Sequence, residues 1–326
     1  MRYLLTFTYI LTLAFAYAPA SSAAPSGSLV LKRMLASEGS RAYVGTQVTT
    51  LAADSNVTSE QKVARYGYKG MRMEYLSPQR LKGEVIADNG KVIMHYIPSR
   101  KVVRTHPSRL AMQRQRLMQM SRGNLKAKLV GSDRIAGRSA YVIEVSPVRS
   151  RVLTRKFWVD TATWVKLKTE DIGPNGAVIS TSYFKKIKYV PSIPASMFKV
   201  NPPDGVRVKR GPASASRLLS LEQAQDKAGF RVLSPSYLPP GFRFAGATVT
   251  RFRGDNMVAV RYTDGMTSFS IMQVPDNALK PRFQRRLRGG PERTGAGYSW
   301  KQNGISLTII GRIPYNQITN IADSVK

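Results

Sequence analysis

The sequence predicts an α+β protein of two domains: a large antiparallel sheet with helices on one face, then a smaller domain of strands and helices. The 326 residues exceed the usual size of one domain. Short apolar segments separated by turn residues recur along the chain, as in consecutive antiparallel strands. A segment rich in proline, glycine and serine divides it. We therefore expect a first domain over 25–200, a linker over 201–217 and a second domain over 218–326.

The N-terminus, 1–24, is typical of a secretory signal peptide. Arg2 precedes an apolar run over 3–18, and small residues follow it. This arrangement predicts export, with cleavage after Ala23 or Ala24. The alternative is an uncleaved anchor, although the apolar run is short for a membrane span. Because the chain contains no cysteine, the exported protein relies on its core rather than on disulfides.

The first domain begins with a predicted helix and continues as strands joined by tight turns. Leu29, Leu31, Met34 and Leu35 recur at helical spacing, and Gly39 ends the pattern. Turn residues then separate strand-like segments rich in valine, isoleucine and tyrosine. These turns are Asp88-Asn89-Gly90, Pro98-Ser99-Arg100, 160–163 and Pro174-Asn175-Gly176.

A second helix is predicted within 107–129 and ends near Gly123. Its apolar face carries a leucine- and methionine-rich set, and arginines occupy the opposite face; the set is Leu110, Met112, Leu117, Met118 and Met120. Methionine-rich faces adapt to irregular partners. Plain core packing is the favoured alternative, since apolar residues at helical spacing usually face a core. A large sheet with two helices on one face also predicts an apolar cavity.

The second domain is predicted to open with a short helix capped by Ser220 and to continue as strands. The stretch YTDGMTSFSIMQ, 262–273, contains an Asp264-Gly265 turn and an alternating strand that carries no candidate nucleophile–base pair. It therefore favours a surface that a partner contacts over a catalytic element. A terminal helix is expected with Ile318, Ile321 and Val325 on one face.

The net charge of +32 indicates affinity for anionic partners, such as acidic lipids, acidic wall polymers or acidic proteins. Export argues against nucleic acid as the main partner. The alternative is a general basic bias with solvated lysines and arginines. The densest basic run, 280–293, is interpreted either as an anion- or partner-binding surface or as a solvated loop.

The residues that catalysis or metal binding would need are sparse. With no cysteine and only His95 and His106, a zinc site or a Ser-His-Asp triad has few candidate members. Glu170 and Asp171 are neighbours in a strand pattern, so they are expected on opposite faces. The glycine-rich stretch 289–297 lacks the Gly-Lys-Ser/Thr ending of a phosphate loop. We expect no catalytic residue, no metal and no cofactor, and hence not an enzyme.

Several stretches resemble, in order and spacing, the MucB/RseB family of exported regulators of envelope-stress sigma factors. In the second half these are PSYLPPGF at 235–242, VRYTDGMTSFSIMQV at 260–274 and ISLTIIGRIPYNQITNIADSV at 305–325. In the first half they are SDRIAGRSAYVIEVSPV at 132–148 and KFWVDTATWVKLKTEDIGPNGAVI at 156–179. The likeness covers most of the chain after the signal segment.

The resemblance implies a first domain like the periplasmic lipoprotein carriers, an open antiparallel half-barrel wrapped around helices. It implies a second domain that contacts the periplasmic part of a membrane anti-sigma factor, which the protein shields from proteolysis. It further implies that displaced lipoproteins or lipopolysaccharide bind the protein and release it from the anti-sigma factor. The chain is far more basic than this role requires, which leaves open whether the signal sensed is the same.

On this basis we expect a ligand cavity lined by Leu110, Met112, Leu117, Met118, Met120, Trp158 and Trp164. We expect partner contacts from Tyr262, Phe269, Arg282, Arg285, Arg286 and Arg288. The expected partners are a membrane anti-sigma factor, an acyl or lipopolysaccharide-like ligand and an anionic membrane surface. The alternatives are a periplasmic lipid or lipoprotein carrier, which would need mainly the first domain, and a wall protein that binds anions.

Overall fold

A computed structural model describes most of the chain from residue 24 onward. The described residues are 24–52, 57–108, 110, 125–150, 152–210, 218–279, 292–294, 297–311 and 313–326. They form two sheets, so the predicted α+β class with a large and a smaller sheet is confirmed. Within these ranges no helix has the length and apolarity needed to cross a membrane.

The larger sheet contains twelve strands within the described ranges. In chain order they are Ala42–Leu51 (β1), Val57–Tyr66 (β2), Gly70–Ser77 (β3), Val85–Asp88 (β4), Val92–Ile97 (β5), Val102–Pro107 (β6), Leu125–Ile135 (β7), Arg138–Pro147 (β8), Thr154–Asp160 (β9), Lys166–Ile172 (β10), Val178–Tyr189 (β11) and Arg207–Arg210 (β12). Their order in the sheet is β12-β6-β5-β4-β3-β2-β1-β11-β10-β9-β8-β7. The sheet is therefore open, with β12 and β7 at its edges.

Tight turns explain why most neighbours in this sheet are antiparallel. The turn at Asp88-Asn89-Gly90 joins β4 to β5, and Gly90 has a φ of +83°, which an L side chain rarely adopts. The predicted turns at 160–163 and 174–176 likewise join β9 to β10 and β10 to β11. The exception is β12, which pairs with β6 in parallel.

One helix, Gly27–Ser37 (α1), packs on the larger sheet. The hydroxyl of Ser26 accepts a hydrogen bond from the Leu29 amide and caps its first turn. Of the predicted apolar stripe, Leu31, Met34 and Leu35 are buried against β8 and β9, whereas Leu29 is 38% exposed. Val30 takes its place in the cluster, which Ile143, Val145, Phe157 and Val159 complete. We call the sheet face that this helix covers the α1 face.

The smaller sheet contains six strands within the described ranges. They are Arg243–Phe252 (β13), Asp255–Thr263 (β14), Ser268–Pro275 (β15), Glu292–Thr294 (β16), Gly297–Gln302 (β17) and Ile305–Gly311 (β18), in the order β13-β14-β15-β18-β17-β16. In the described part of this domain, the helices Leu221–Ala228 (α2) and Tyr315–Asp323 (α3) accompany the sheet. Their buried residues, such as Ala224 and Ile321, join one core with the inward-facing residues of the sheet.

Local signals in the second half are confirmed where the structure describes them. Ser220 caps α2 in a reciprocal capping box with Gln223, and Gly229 ends the helix at a φ of +76°. The Asp264-Gly265 turn joins β14 to β15. Ile318 and Ile321 of α3 are buried as predicted, and Val325 lies just beyond the helix in the same core.

One predicted feature looks different in the structure, and a second is described only in part. Part of the expected linker, Arg207–Arg210, is the edge strand β12, because its backbone pairs with β6 rather than staying free. Within the segment expected to hold the second helix, Leu110 is helical and buried, whereas 125–129 belong to β7. Residues 111–124, including the predicted helix end at Gly123, lie outside the described ranges.

Candidate functional site

The two sheets meet at the loop that joins β8 to β9, residues 148–153. Val152 of this loop packs against the core of the second sheet. Gly241, in the Pro239-Pro240-Gly241 turn ahead of β13, approaches the same loop. A Cβ built at Gly241 would lie 3.3 Å from the Cβ of Arg149 and 3.3 Å from the Ser150 amide nitrogen. Glycine therefore permits the close backbone approach of the two domains.

A cleft of about 450 Å³ opens beside this contact, between the two domains. Its lining combines proline rings with short polar side chains: Arg149, Ser150, Val152, Pro174, Pro239, Pro240, Pro314, Asn316 and Gln317. The residues come from the β8–β9 loop, the β10–β11 turn, the turn before β13 and the start of α3. The volume falls within the range of sites that hold small ligands or a few peptide residues.

A second cleft, of about 560 Å³, adjoins the first and shares Ser150 and Pro174 with it. It extends over the ends of β7 to β10, where Lys126, Glu144 and Thr154 contribute to its lining. Proline rings are rigid and offer apolar surface, and the polar side chains offer hydrogen bonds. We call the groove formed by the two adjoining clefts the interdomain groove.

The turn between β14 and β15 makes a second contact between the domains. Met266, which lies in this turn, packs against the α1 cluster of the first domain. Oδ1 of Asp264 fixes the turn by accepting hydrogen bonds from the amides of Met266 at 2.9 Å and Thr267 at 2.7 Å. Met266 thus makes its contact within the chain, and a contact of the stretch 262–273 with a partner stays a prediction.

An ion-pair cluster attaches the end of α1 to the sheet. Glu38 is the C-cap residue of α1. Its Oε2 lies 3.6 Å from Nη2 of Arg65, and its Oε1 lies 3.4 Å from Nζ of Lys166. Burial alone would raise the pKa of the Glu38 carboxyl, but the charges of Lys166 and Arg65 outweigh burial and lower it. Glu38 is therefore ionised in the folded protein at neutral pH and holds α1 in place.

A second cluster fixes the β9–β10 turn. The carboxylate of Asp160 pairs with Arg138 and accepts hydrogen bonds from the Tyr189 hydroxyl and from the amides of Ala162 and Thr163. Burial would raise the pKa of the Asp160 carboxyl, but the hydrogen bonds from Arg138, Thr163 and Ala162 and the Arg138 charge lower it. Burial, together with the nearby Asp160 charge, raises the pKa of Tyr189 to about 12.

The two tryptophans expected to share one cavity lie on opposite faces of the larger sheet. Trp164 lies on the α1 face: its ring stacks on Tyr141 at a centroid distance of 5.8 Å, and the Arg33 guanidinium lies 4.7 Å from the ring centroid. Trp158 alternates along β9 with Phe157 and Val159, which contact α1, so it points to the other face. There Trp158 donates a hydrogen bond to Asp133 at 2.8 Å.

The structure therefore does not bring the two tryptophans together, because strand alternation places Trp158 on the face opposite Trp164. Leu110 is buried, with 3% of its surface exposed. The other four expected cavity residues, Met112, Leu117, Met118 and Met120, lie outside the described ranges. A ligand site on the α1 face stays a prediction, with Trp164 as its described member.

The two aromatic residues expected to contact a partner are core residues of the second domain. Tyr262 and Phe269 stack at a centroid distance of 5.1 Å, with 4% and 1% of their surface exposed. They face inward because β14 and β15 pair Tyr262 with Phe269 on the helix-covered face. Their role as partner contacts stays a prediction, and their burial favours packing. Arg282, Arg285, Arg286 and Arg288 lie outside the described ranges.

The candidate catalytic groups take part in structural contacts. Nε2 of His95 lies 2.7 Å from Oε2 of Glu84, in keeping with a hydrogen-bonded sheet histidine. Glu170 pairs with Lys168 and Asp171 pairs with Arg155, on the two faces of β10 as expected. No group of three or more potential metal-ligating side chains occurs in the described part of the chain.

Sequence reasoning missed the residues of the interdomain groove. Arg149, Pro174, Pro240 and Asn316 are separated by tens to hundreds of positions, and only the contact of the two domains brings them together. The Pro239-Pro240-Gly241 turn was recognisable as a turn, and Met266 was visible within the hairpin. Neither pattern indicates which surface it will meet.

An open, mostly antiparallel sheet joined to a smaller sheet-and-helix domain, with a groove between them, defines a two-domain α+β protein. The family model for the MucB/RseB N-terminal domain matches residues 26–201, more than half of the chain. The protein belongs to the MucB/RseB family, which confirms the predicted membership.

Solved structures agree with this fold over nearly the whole chain. The crystal structure of MucB in complex with MucA(peri) has a TM-score of 0.62 and 17% identity, covering 92% of this chain and 98% of that one. The Pseudomonas aeruginosa MucA/MucB complex also has a TM-score of 0.62, with 16% identity, 92% of this chain and 98% of that one. At such identities the likeness establishes the fold.

One curated relative is the uncharacterized protein MJ0687 of Methanocaldococcus jannaschii. It is 24% identical over 212 residues, which make up 60% of this chain and 60% of the relative. The chain therefore spans about 60% of the length of that relative.

Proposed function

We propose that the protein is an exported, non-enzymatic regulator that binds the extracytoplasmic part of a membrane anti-sigma factor. By holding that segment it controls an envelope-stress sigma factor from the periplasmic side. The observation that carries the proposal is the extent of the likeness to MucB in complex with MucA(peri), which covers 92% of this chain and so includes both domains. A lipid or lipoprotein carrier would need mainly the first domain.

The interdomain groove is the proposed binding site for the partner segment. Both domains contribute to it, so its shape depends on how they dock. Proline-rich walls bind an extended segment at small entropic cost, because the rings are already rigid. Arg149, exposed in the β8–β9 loop, provides a cation for an acidic residue of the segment.

An acylated or lipid ligand on the α1 face is the proposed signal. Trp164 and Tyr141 are half-buried on this face and pack against the α1 cluster, which Met266 of the second domain also contacts. A ligand that displaced side chains here would disturb the Met266 contact and thereby the groove. Ligand binding and partner release would be coupled through one interdomain contact.

The first experiment is a pull-down from envelope extract with the immobilised exported chain, 25–326, followed by identification of the retained proteins. The expected result is one membrane protein whose cytoplasmic part binds a sigma factor. The purified extracytoplasmic region of that protein is then titrated by calorimetry against the wild-type chain. Retention of acylated molecules alone would instead support the carrier function.

Two tryptophan substitutions in α3 locate the site. Asn316→Trp places a bulky ring in the lining of the interdomain groove and is expected to weaken partner binding at least tenfold. Asn320→Trp, one turn further along the helix and outside the lining, is the matched control. Equal affinities for the two variants would place the partner elsewhere on the protein.

A further inference from the structure

One edge of the larger sheet carries six exposed cations. The segments 98–107 and 201–210, which contain β6 and β12, hold six lysines and arginines and a single acid, Asp204. All six side chains are exposed, and the ion pairs found among the described residues involve other cations. We call this set the basic edge: Arg100, Lys101, Arg104, Arg207, Lys209 and Arg210.

The strand register places like charges side by side. In the parallel pairing of β12 with β6, Lys209 lies opposite Arg104, so both side chains project from the same sheet face. Arg207 lies opposite Val102 on that face, next to Lys101, whose carbonyl accepts a hydrogen bond from the Arg207 amide at 3.1 Å. Directly opposed like charges destabilise a strand pair. An anionic surface that bound here would relieve this repulsion.

The geometry of the edge favours a flat anionic surface over an added strand. β12 has only four residues, and short, basic edge strands resist pairing with further strands. Its side chains are exposed on both faces, so the charge is presented along the rim rather than inside a pocket. Val208, 61% exposed between Arg207 and Lys209, adds an apolar group at the same rim.

We propose that the basic edge docks the protein on an anionic phospholipid bilayer. The inference goes beyond the proposed function, because it concerns a surface at the far end of the sheet order from the strands that line the interdomain groove. Docking would keep the protein at the membrane that anchors its partner. Each lysine or arginine near an anionic bilayer strengthens binding about fivefold. Removing three of them should therefore weaken binding by roughly a hundredfold.

The test is co-sedimentation of the exported chain, 25–326, with vesicles of phosphatidylglycerol and phosphatidylethanolamine, and with vesicles of phosphatidylcholine. The wild-type chain should bind the first kind and not the second, and added salt should release it because exposed charges are screened. The variant Arg104→Gln, Arg207→Gln, Lys209→Gln should lose about a hundredfold in affinity. Because these side chains are exposed and lie beside like charges, its unfolding midpoint should equal or slightly exceed that of the wild type.

The matched control is Lys62→Gln, Lys186→Gln, Lys188→Gln, which removes the same charge from exposed positions of β2 and β11 in the middle of the sheet. This variant should bind nearly as well as the wild type. Equal losses of vesicle affinity in the two triple variants would indicate a general effect of net charge and overturn the proposal. Absence of wild-type binding, or equal binding to phosphatidylcholine, would overturn it as well.

Two further comparisons separate this surface from other basic parts of the protein. The edge variant is Arg104→Gln, Arg207→Gln, Lys209→Gln. If it kept vesicle binding while Arg282→Gln, Arg285→Gln, Arg286→Gln abolished it, the basic run 280–293 would be the membrane contact. The proposal would then fail. Partner affinity of the edge variant, measured without vesicles, should equal that of the wild type. Loss of that affinity would assign the edge to the protein partner instead.

Discussion

Gly241 and Arg149 bring the two domains into backbone contact: a Cβ at Gly241 would lie 3.3 Å from the Cβ of Arg149. Gly241 has a φ of +85°. Gly241→Ala is expected to lose about 1–2 kcal/mol of unfolding free energy for the positive φ. It should lose about 1 kcal/mol more because the new methyl group presses on the β8–β9 loop. Urea unfolding measures the total.

Gly254→Ala is the matched control, since Gly254 has a φ of +96° but no atom within 4 Å of its Cβ position. Gly254→Ala should therefore lose only the unfolding free energy that the positive φ costs. The affinity for the partner segment should fall in Gly241→Ala only. Identical stability losses in the two variants would mean that the domains do not press on each other at Gly241.

Met266 is expected to couple the second domain to the α1 cluster. Met266→Ala removes its contact with that cluster and should lower the unfolding free energy by about 1–2 kcal/mol, less than for a fully buried methionine. Met257→Ala is the control, because Met257 is similarly half-buried in β14 but belongs to neither core cluster. Urea midpoints and limited proteolysis check the difference. A larger loss in Met257→Ala would contradict an interdomain role for Met266.

The Glu38 cluster predicts a loss of stability in acid. Because the folded pKa of Glu38 lies below its ordinary value of 4.5, the carboxylate contributes stability that is fully present above that pH. The contribution is lost as the pH falls through the folded pKa. Glu38→Gln leaves Arg65 without this partner charge and should cost roughly 3 kcal/mol at neutral pH.

Urea unfolding of the wild type and Glu38→Gln as a function of pH checks this sign. The stability difference should be greatest at neutral pH and shrink below about 4.5. Glu222→Gln, on the exposed side of α2, is the matched control and should cost much less than Glu38→Gln at neutral pH. A Glu38→Gln difference that grew in acid would contradict the ion-pair explanation.

The tryptophans report where an acyl ligand binds. If the ligand occupies the α1 face, its addition should change the fluorescence emission of Trp164, which is half-buried there against Tyr141. Trp158, on the opposite face, should be unaffected. The change should therefore persist in Trp158→Phe and disappear in Trp164→Phe. A ligand-induced fluorescence change that persisted in Trp164→Phe would place the ligand away from the α1 face.

Local signals in the sequence determined much of the secondary structure. The turn at Asp88-Asn89-Gly90, the Ser220 cap and the apolar stripe of α1 depend on backbone preferences and side-chain spacing over a few residues. Such local preferences do not depend on long-range contacts. The turns, caps and apolar stripes that they produce can therefore be identified from the sequence before the fold is known. The two-domain α+β class follows from their order along the chain.

Tertiary structure decided which residues share a site. Strand alternation predicts only that the neighbours Phe157 and Trp158 point to opposite faces of the sheet. The packing of α1 on Phe157 decides which of the two faces is covered, and Trp158 therefore lies on the other one. Trp164 packs on the covered face, so no pattern in the sequence could show that the two tryptophans are separated.

Tertiary structure also decided the features that join distant parts of the chain. The parallel pairing of β12 with β6 joins positions about a hundred residues apart, and the burial of Tyr262 and Phe269 depends on which face α2 and α3 cover. The interdomain groove arises from four separate turns and termini. These features depend on contacts between distant segments, whose free energies exist only in the folded chain. The sequence by itself thus determined the elements and their class, and the packing of those elements decided the groove, the basic edge and the face of each aromatic side chain.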